Sequence, residues 1–327
     1  MASSPKYLTG DKAAINDFID KFDVHISIRL RWLVSYTAPA GKSPQLTQND
    51  KGVLWSGDHV FDRVPETIMM LKARGKRTVF VTNNSTKSRE DYLQKISNLH
   101  IPCEKEDVFG SSYSAAVYIS RILKLPPGKN KVFAIGEAGV EEELAAEGIP
   151  CLGGTDPNFR RDMTPKDFEA LADGTALDPK VGVVLCGLDF HINYLKLSTA
   201  LHYLKRGAIF LATNTDSTLP MHRSFFMGAG SIMIPLQYAS GTKPLELGKP
   251  SQAMMDAVEG KFQLDRSKTC MVGDRLNTDI KFGIDGKLGG TLHVLTGVHQ
   301  KEDWDKKDAV AVPAYYADKL SDLAVVA

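Results

Sequence analysis

The chain has 327 residues, of which 43% are apolar and 24% charged, and its formal net charge is +1. This length allows a large buried core and two domains, and the composition is ordinary for a globular enzyme. A balanced charge without a basic block argues against nucleic acid or a membrane surface as a partner. The apolar runs, such as residues 181–186, are too short to span a bilayer, and residues 1–9 lack a signal-peptide core. A cytoplasmic protein is therefore expected.

Short β-branched runs alternate with segments of helical periodicity along the chain. In chain order they predict helix 64–73, strand 77–82, helix 88–99, helix 111–123, strand 131–135, strand 181–186, helix 194–205, strand 208–212, helix 250–262, strand 269–272 and strand 291–295. This alternation predicts an α/β fold with parallel sheets. Loop-rich stretches at 125–129 and 216–230 bracket a middle block with its own strands and helices, which indicates an inserted domain.

Polar residues at the end of one predicted strand are candidates for binding phosphate. In open parallel sheets, ligands bind beyond the carboxyl ends of the strands. There Thr82, Asn83 and Asn84 offer a hydroxyl, two amides and backbone N–H groups, all of which can hold phosphate oxygens. Taken alone, a polar turn at the strand end explains these three residues at least as well.

Two carboxylates and one lysine are the remaining candidates in the C-terminal half. Asp274 and Asp279 follow an apolar strand, and paired carboxylates suit a hard cation such as Mg²⁺. The start of a solvated helix is the alternative, because Asp is favoured there. Lys249 lies before a helix that opens with Pro250, and its ammonium group can neutralise a carboxylate nucleophile or a phosphate.

The order of four segments resembles the haloacid dehalogenase superfamily, and within it the eukaryotic 4-nitrophenylphosphatase / phosphoglycolate phosphatase group. The segments are Gly-Val-Leu-Trp-Ser-Gly at 52–57, Val-Thr-Asn-Asn-Ser at 81–85, Gly-Lys-Pro-Ser at 248–251 and Gly-Asp-Arg-Leu-Asn-Thr-Asp-Ile at 273–280. The resemblance extends over about 7–323 and is interrupted at roughly 25–51.

The resemblance implies a Rossmann-like three-layer core with an inserted α/β cap domain. The expected domains are a first core segment at 1–126, the cap at 127–218 and a second core segment at 219–327. The resemblance also implies Mg²⁺-dependent hydrolysis of small phosphate monoesters, of the 4-nitrophenyl phosphate or 2-phosphoglycolate type, through an aspartyl-phosphate. The expected partner is therefore a small phosphorylated metabolite, and a homodimer through the cap is expected by analogy.

The resemblance also implies roles for individual residues. By position, Thr82 and Lys249 would bind and stabilise the transferring phosphate, Asp274 would ligate Mg²⁺, and Asp279 would support it. The substrate-binding residues implied in the same way are Asn83, Asn84, Asn214 and Asp216. The last two belong to a segment, Thr-Asn-Thr-Asp at 213–216, that resembles the family's segment facing the substrate.

The motif that should carry the nucleophile is disrupted. In the family, a strand of the type Phe-Leu-Phe-Asp-Cys-Asp precedes Gly52; its first Asp attacks phosphorus and its second acts as acid and base. Counting back from Gly52 places Asn49 and Lys51 at those positions, with Asp50 between them. An amide is a far poorer nucleophile than a carboxylate, and the Asp50 side chain would leave the other face of a strand. The chain as written is expected to be a very poor phosphatase.

The codons for residues 26–32 offer an explanation. Ile-Ser-Ile-Arg-Leu-Arg-Trp can be encoded as ATT TCT ATT CGA CTG CGA TGG, which one base later reads Phe-Leu-Phe-Asp-Cys-Asp and the start of Gly. Codons for 33–35 can hold a splice donor, and those for 46–47 a branch point. The hypothesis is that residues 25–51 are a frameshifted exon end followed by translated intron.

Two other interpretations of this disruption stand beside the frameshift. One is a non-catalytic phosphate-binding or regulatory paralogue that retains the anion site, and the other, a pure interaction protein, is disfavoured because the remaining site residues are present. In all cases residues 25–51, called the foreign stretch below, fit a central strand poorly. Arg29 and Arg31 would be buried there without partners. We expect a strained surrogate strand or a displaced segment.

Overall fold

The computed structural model describes residues 4–27, 52–56, 59–221 and 224–324. The strands in these ranges are β1 (Lys6–Tyr7), β2 (Asp23–Ser27), β3 (Trp55–Ser56), β4 (His59–Val60), β5 (Thr78–Thr82), β6 (Val108–Gly110), β7 (Lys131–Ile135), β8 (Cys151–Gly153), β9 (Val181–Cys186), β10 (Ile209–Ala212), β11 (Thr218–Met221), β12 (Ser224–Met227), β13 (Leu245–Glu246), β14 (Thr269–Gly273), β15 (Gly290–Val294) and β16 (Tyr315–Ala317).

The α-helices in the same ranges are α1 (Lys12–Lys21), α2 (Val64–Ala73), α3 (Arg89–Asn98), α4 (Ser111–Val117), α5 (Ala138–Ala146), α6 (Pro165–Asp173), α7 (Tyr194–Lys205), α8 (Ala229–Ser240), α9 (Gln252–Phe262), α10 (Lys281–Asp285) and α11 (Lys301–Trp304). The strand predicted at 131–135 and the helix predicted at 194–205 have the observed bounds. The helix predicted at 111–123 ends at Val117 and continues as a π-helical turn, Tyr118–Ile122.

A seven-stranded parallel sheet forms the larger unit, with the order β1-β16-β15-β14-β2-β5-β6. Apolar residues of α1, α2 and α3 pack against one face, and residues of α4, α9 and α10 pack against the other. Covering both faces is what a parallel sheet requires, because its strands are apolar on both sides. The predicted α/β fold with a Rossmann-like three-layer core is confirmed.

A five-stranded parallel sheet, with the order β13-β10-β9-β7-β8, forms the inserted cap. Helices α7 and α8 cover one face, while α5 and the core helix α4 contribute to the apolar cluster on the other. Both α8 and β13 lie beyond residue 218, where the cap was expected to end. We therefore propose a second boundary near residue 247, because β13 pairs with β10 in the cap sheet.

The strand β2 occupies the centre of the core sheet, between β14 and β5. Residues 25–27, predicted to belong to the foreign stretch, are part of this regular strand, which agrees with a surrogate strand. His25 is 2% exposed, and its ring lies 6.2 Å from that of Phe262. The rest of the stretch, with Arg29, Arg31, Asn49, Asp50 and Lys51, lies outside the described residues.

Candidate active site

The sheet register places the predicted motifs at one edge. Ser27 of β2 is in register with Val81 of β5, and Ile26 is in register with Val272 of β14. Thr82 therefore ends β5, and Asp274 directly follows β14, on either side of the end of β2. The next residue in the chain after β2 is Ile28, which lies outside the described residues. Three adjacent carboxyl ends thus form one site, as expected for a parallel sheet.

Lys249 connects the two motifs that flank β2. Its Nζ donates to the carbonyl oxygen of Val81 at 3.0 Å and forms an ion pair with Asp279 Oδ1 at 2.9 Å. The side chain is 3% exposed, so this charge is held away from bulk water. The Asn83 side chain forms two hydrogen bonds with the backbone of Lys249. The Lys249 N–H donates to Asn83 Oδ1 at 2.7 Å, and Asn83 Nδ2 donates to the Lys249 carbonyl at 2.9 Å. The ammonium group is therefore fixed by both its tip and its backbone.

The two predicted carboxylates have different environments. Asp279 Oδ2 accepts from the backbone N–H groups of Asp274, at 3.2 Å, and Arg275, at 3.1 Å, while its Oδ1 meets Lys249. Asp274 is fully buried, and its Oδ2 accepts from the Val298 N–H at 3.1 Å. The contacts of Asp279 are those of a residue that holds the loop and the lysine in place.

The geometry around Asp274 is compatible with a magnesium ion. Carboxylate oxygens are hard ligands, and Mg²⁺ retains several waters, so one or two carboxylates suffice. The loop that follows β15 approaches Asp274 so closely that a Cβ on Gly297 would lie 2.0 Å from the Asp274 Cβ. The donor set therefore fits the predicted cation, with Asp274 as the candidate ligand and Asp279 as its support.

Thr82 and Asn84 belong to a buried hydrogen-bonded group at the end of β5. Thr82 Oγ1 accepts from the Asn84 N–H at 3.2 Å and lies 3.2 Å from the Tyr92 hydroxyl. Asn84 Oδ1 accepts from the Thr86 N–H at 2.8 Å and from the Thr86 hydroxyl at 2.7 Å. Asn84 thus braces its own loop through its amide oxygen, and the substrate contact expected from the sequence stays a prediction.

The cap residues predicted to face the substrate lie against the core motif. Asn214 Nδ2 donates to the Asn83 carbonyl at 2.7 Å, and Asn214 Oδ1 accepts from the Asp216 N–H at 3.1 Å. Asp216 Oδ2 lies 3.5 Å from Asn83 Nδ2. The Thr213 hydroxyl donates to Ser85 Oγ at 3.1 Å. Asn214 and Asp216 are therefore close to the site, and Asn214 connects the cap to the loop after β5.

Sequence reasoning missed the loop that follows β15. Thr296 Oγ1 donates to the Gly52 carbonyl at 2.7 Å, which holds the chain where it returns from the foreign stretch. His299 Nδ1 accepts from the Leu276 N–H at 3.1 Å, which requires a neutral ring nitrogen, and burial lowers the pKa of His299. The available signal was position: this loop follows a predicted strand at the same edge of the sheet.

A second group of polar side chains lies in the cap. Ligand atoms of Glu137, Asp189 and His191 fall within 4.8 Å of one another. However, Arg160 is paired with Glu137 at 2.8 Å, and Lys196 is paired with Asp189 at 2.6 Å. Two cations already compensate the two carboxylates, so this group is a structural ion-pair network of the cap.

Comparison with known proteins agrees with this architecture. Residues 50–150 match the family model of haloacid dehalogenase-like hydrolases, and residues 246–323 match a HAD-hydrolase-like model. A 4-nitrophenylphosphatase of Schizosaccharomyces pombe is 44% identical over 312 residues, which are 95% of this chain and 96% of that protein. Phosphoglycolate phosphatase 1A of Arabidopsis thaliana is 40% identical over 83% of this chain and 74% of its own length.

Solved structures give the same assignment. A hypothetical protein from Pyrococcus horikoshii superposes with a TM-score of 0.73 at 28% identity, covering 93% of this chain and 98% of that one. A glycerol phosphate phosphatase from Mycobacterium tuberculosis, solved in complex with magnesium, has a TM-score of 0.71 at 25% identity, covering 94% and 77% of the two chains. The chain therefore belongs to the haloacid dehalogenase superfamily, in its 4-nitrophenylphosphatase / phosphoglycolate phosphatase group. Among the described residues, no helix has both the length and the apolar character needed to cross a membrane.

Proposed function

We propose that this protein has the scaffold of a Mg²⁺-dependent phosphatase for small phosphate monoesters, with its nucleophile-bearing segment interrupted in the chain as written. The observation that carries this proposal is the position of Lys249. Its Nζ lies between the carbonyl oxygen of Val81 and the carboxylate of Asp279, whose other oxygen holds the backbone of Asp274. An ammonium group and a buried carboxylate thus meet beside the end of β5, at Thr82, where a phosphate dianion would be neutralised.

Each of these residues has a distinct task in the proposed reaction. Thr82 and the backbone N–H groups after β5 would orient the transferring phosphoryl group, and Lys249 would neutralise its developing charge. Asp274 would hold the metal, and Asp279 would hold Lys249 and the Asp274 loop in position. A Mg²⁺ ion held by Asp274 would supply a Lewis acid that stabilises negative charge on the phosphate oxygens. The cap would exclude water and select the substrate, which is proposed to be of the 4-nitrophenyl phosphate or 2-phosphoglycolate type.

The attacking group is what the chain as written lacks. The β2 register is compatible with a nucleophile at this strand end, because Ser27, the last residue of β2, is in register with Val81, which directly precedes Thr82. Replacing residues 25–51 by Phe-Leu-Phe-Asp-Cys-Asp would put apolar residues on both faces of β2 and an aspartate directly after its end. That aspartate would attack phosphorus and displace the alcohol, which the second aspartate would protonate. The second aspartate would then take a proton from a water that attacks the aspartyl-phosphate and releases phosphate.

A non-catalytic phosphate-binding paralogue is the second candidate. The observation in its favour is that Asn49, Asp50 and Lys51 precede Gly52 in the sequence, where the family has a carboxylate pair. This candidate retains phosphate binding and lacks turnover. Cytoplasmic localisation and a homodimer through the cap stay predictions for both candidates.

A three-way assay distinguishes these candidates. The chain as written, the chain with residues 25–51 replaced by Phe-Leu-Phe-Asp-Cys-Asp, and a matched Phe-Leu-Phe-Asn-Cys-Asp control are assayed with 4-nitrophenyl phosphate and MgCl₂. We expect turnover in the replacement protein alone, with a rate advantage of up to about 10⁶ over the control, the scale on which loss of a nucleophile acts in subtilisin. An inactive replacement protein that folds would contradict the proposed reaction.

The interrupted segment itself has a separate test. Sequencing the spliced transcript should show a reading frame that encodes Phe-Leu-Phe-Asp-Cys-Asp immediately before Gly52. A continuous transcript that encodes residues 25–51 as they stand would refute the frameshift hypothesis and favour the non-catalytic paralogue.

A further inference from the structure

The Tyr92 hydroxyl lies next to a residue of the proposed phosphate site but has no role in the reaction described above. Tyr92 is fully buried on α3, and its oxygen lies 3.2 Å from Thr82 Oγ1. A buried hydroxyl needs a partner, and the direction of its hydrogen bond decides what the partner can do. The neighbouring contacts determine that direction.

The first contact in the series orients the Asn84 amide. The Thr86 backbone N–H can only donate, and it approaches one atom of the Asn84 amide at 2.8 Å, so that atom is the oxygen. The Thr86 hydroxyl meets the same oxygen at 2.7 Å. These contacts hold Asn84 in place, and its backbone N–H donates to Thr82 Oγ1.

The second contact orients the Tyr92 hydroxyl. Among the described residues, Thr82 Oγ1 is the one atom within hydrogen-bonding distance of the Tyr92 hydroxyl. A buried phenol proton needs an acceptor, so the Tyr92 proton is directed to Thr82 Oγ1. Burial raises the pKa of Tyr92, so the phenol keeps that proton.

The third contact determines what Thr82 can offer. Thr82 Oγ1 accepts from the Tyr92 hydroxyl and from the Asn84 backbone N–H, at 3.2 Å each. A hydroxyl oxygen has two lone pairs and one proton, so two incoming donors occupy its acceptor capacity. The Thr82 hydroxyl proton is then the remaining hydrogen-bonding group, and it can donate to another acceptor.

We propose that Tyr92 is a positioning residue, which with Asn84 orders the hydrogen bonds so that Thr82 presents its proton to a phosphate oxygen. This inference rests on the proposed function, because it needs a phosphate at Thr82. Its consequence is that the Tyr92 hydroxyl contributes to phosphate affinity only through Thr82 and not through a contact of its own.

The test measures binding of inorganic phosphate to the full chain, in the presence of MgCl₂, by isothermal titration calorimetry. Thr82→Val is expected to weaken binding about 10- to 100-fold, as loss of a hydrogen bond to a charged group does. Tyr92→Phe is expected to weaken it about 3- to 10-fold, and Thr82→Ser, which keeps the hydroxyl, about 2-fold or less. In the Thr82→Val background, Tyr92→Phe should have no further effect.

Two matched controls accompany this series. Tyr113→Phe removes the hydroxyl of another buried tyrosine and should leave phosphate affinity unchanged. Tyr92→Met also removes the hydroxyl and gives a second test if Tyr92→Phe fails to fold. Its effect should also vanish with Thr82→Val.

The outcomes separate the two proposals. A wild-type chain that binds no phosphate overturns the proposed function and this inference together. Phosphate binding that is unchanged by Tyr92→Phe, or weakened equally with and without the Thr82 hydroxyl, overturns the positioning role alone.

Discussion

The neighbouring central strands β5 and β2 differ in how well their residues suit the middle of a parallel sheet. In β5, Val79, Phe80 and Val81 are all fully buried, and they pack into apolar clusters on both faces. In β2, Ile26 packs into the same cluster as Phe80, but His25 puts an imidazole into the opposite face. Strand β5, which is apolar on both faces, leads directly into the candidate site at Thr82. Strand β2 leads into the foreign stretch.

The difference shows that sheet position and chemical competence are separate requirements. Hydrogen bonding to β5 and β14 is a backbone property, so β2 can keep its register although its side chains are unsuitable. Chemistry requires particular side chains beyond the strand end. The following predictions remove contacts in the described part of the site or replace the unsuitable residue of β2. Their expected effects decrease in order.

The largest effect is expected from removing the ammonium group of Lys249. Lys249→Met leaves the buried carboxylate of Asp279 without its lysine, and breaking such a buried pair costs about 3–5 kcal/mol. Urea denaturation measures the loss in the free energy of unfolding. The control is Lys281→Met, whose partner Asp285 and own side chain are 43% and 39% exposed, and which should cost about 0.3–0.5 kcal/mol. Equal losses in the two variants would contradict the buried pair.

The next effect comes from the buried histidine of β2. Burial, with a smaller contribution from Arg77, lowers the pKa of His25 to about 4. Between about pH 6.5 and 4, His25 is therefore protonated in the unfolded chain and neutral in the folded chain. The stability of the wild type should therefore fall relative to His25→Phe as pH decreases from about 6.5 to 4, by about 3 kcal/mol in total. Denaturation of both proteins across this range checks the difference. Parallel pH profiles would show that His25 is not responsible.

A smaller effect is expected where the loop after β15 contacts Asp274. Gly297→Ala would place a Cβ 2.0 Å from the Asp274 Cβ, and relieving that overlap should cost about 1–3 kcal/mol and reduce stabilisation by MgCl₂. Gly260→Ala is the matched control in α9, since a Cβ there meets nothing within 4 Å. It should stabilise the protein by up to about 1 kcal/mol. Thermal unfolding with and without MgCl₂ records both effects.

The sequence predicted the elements whose periodicity is strong. The observed strands Lys131–Ile135 and Val181–Cys186 and the helices Val64–Ala73 and Tyr194–Lys205 have the predicted bounds. Their apolar residues match a single period over the whole element, so the local pattern and the tertiary environment agree. The family was also predicted correctly, because four short motifs in a defined order are specific.

The sequence did not predict elements or contacts that depend on neighbours distant in the chain. The two-residue strand Leu245–Glu246 has no period to detect, and it is a strand because β10 lies beside it. The hydrogen bond from Asn214 to the Asn83 carbonyl likewise joins residues that are far apart in the chain.

What the sequence alone determined is therefore the fold class, the superfamily and the identity of the chemical groups, since these depend on residue type and spacing. What only the tertiary structure decided is which groups meet: Lys249 with Val81 and Asp279, Gly297 with Asp274, and Asp23–Ser27 as the central strand. The physical reason is range. Periodicity acts over a few residues, whereas a site joins strand ends that lie far apart in the chain and converge only when the sheet has formed.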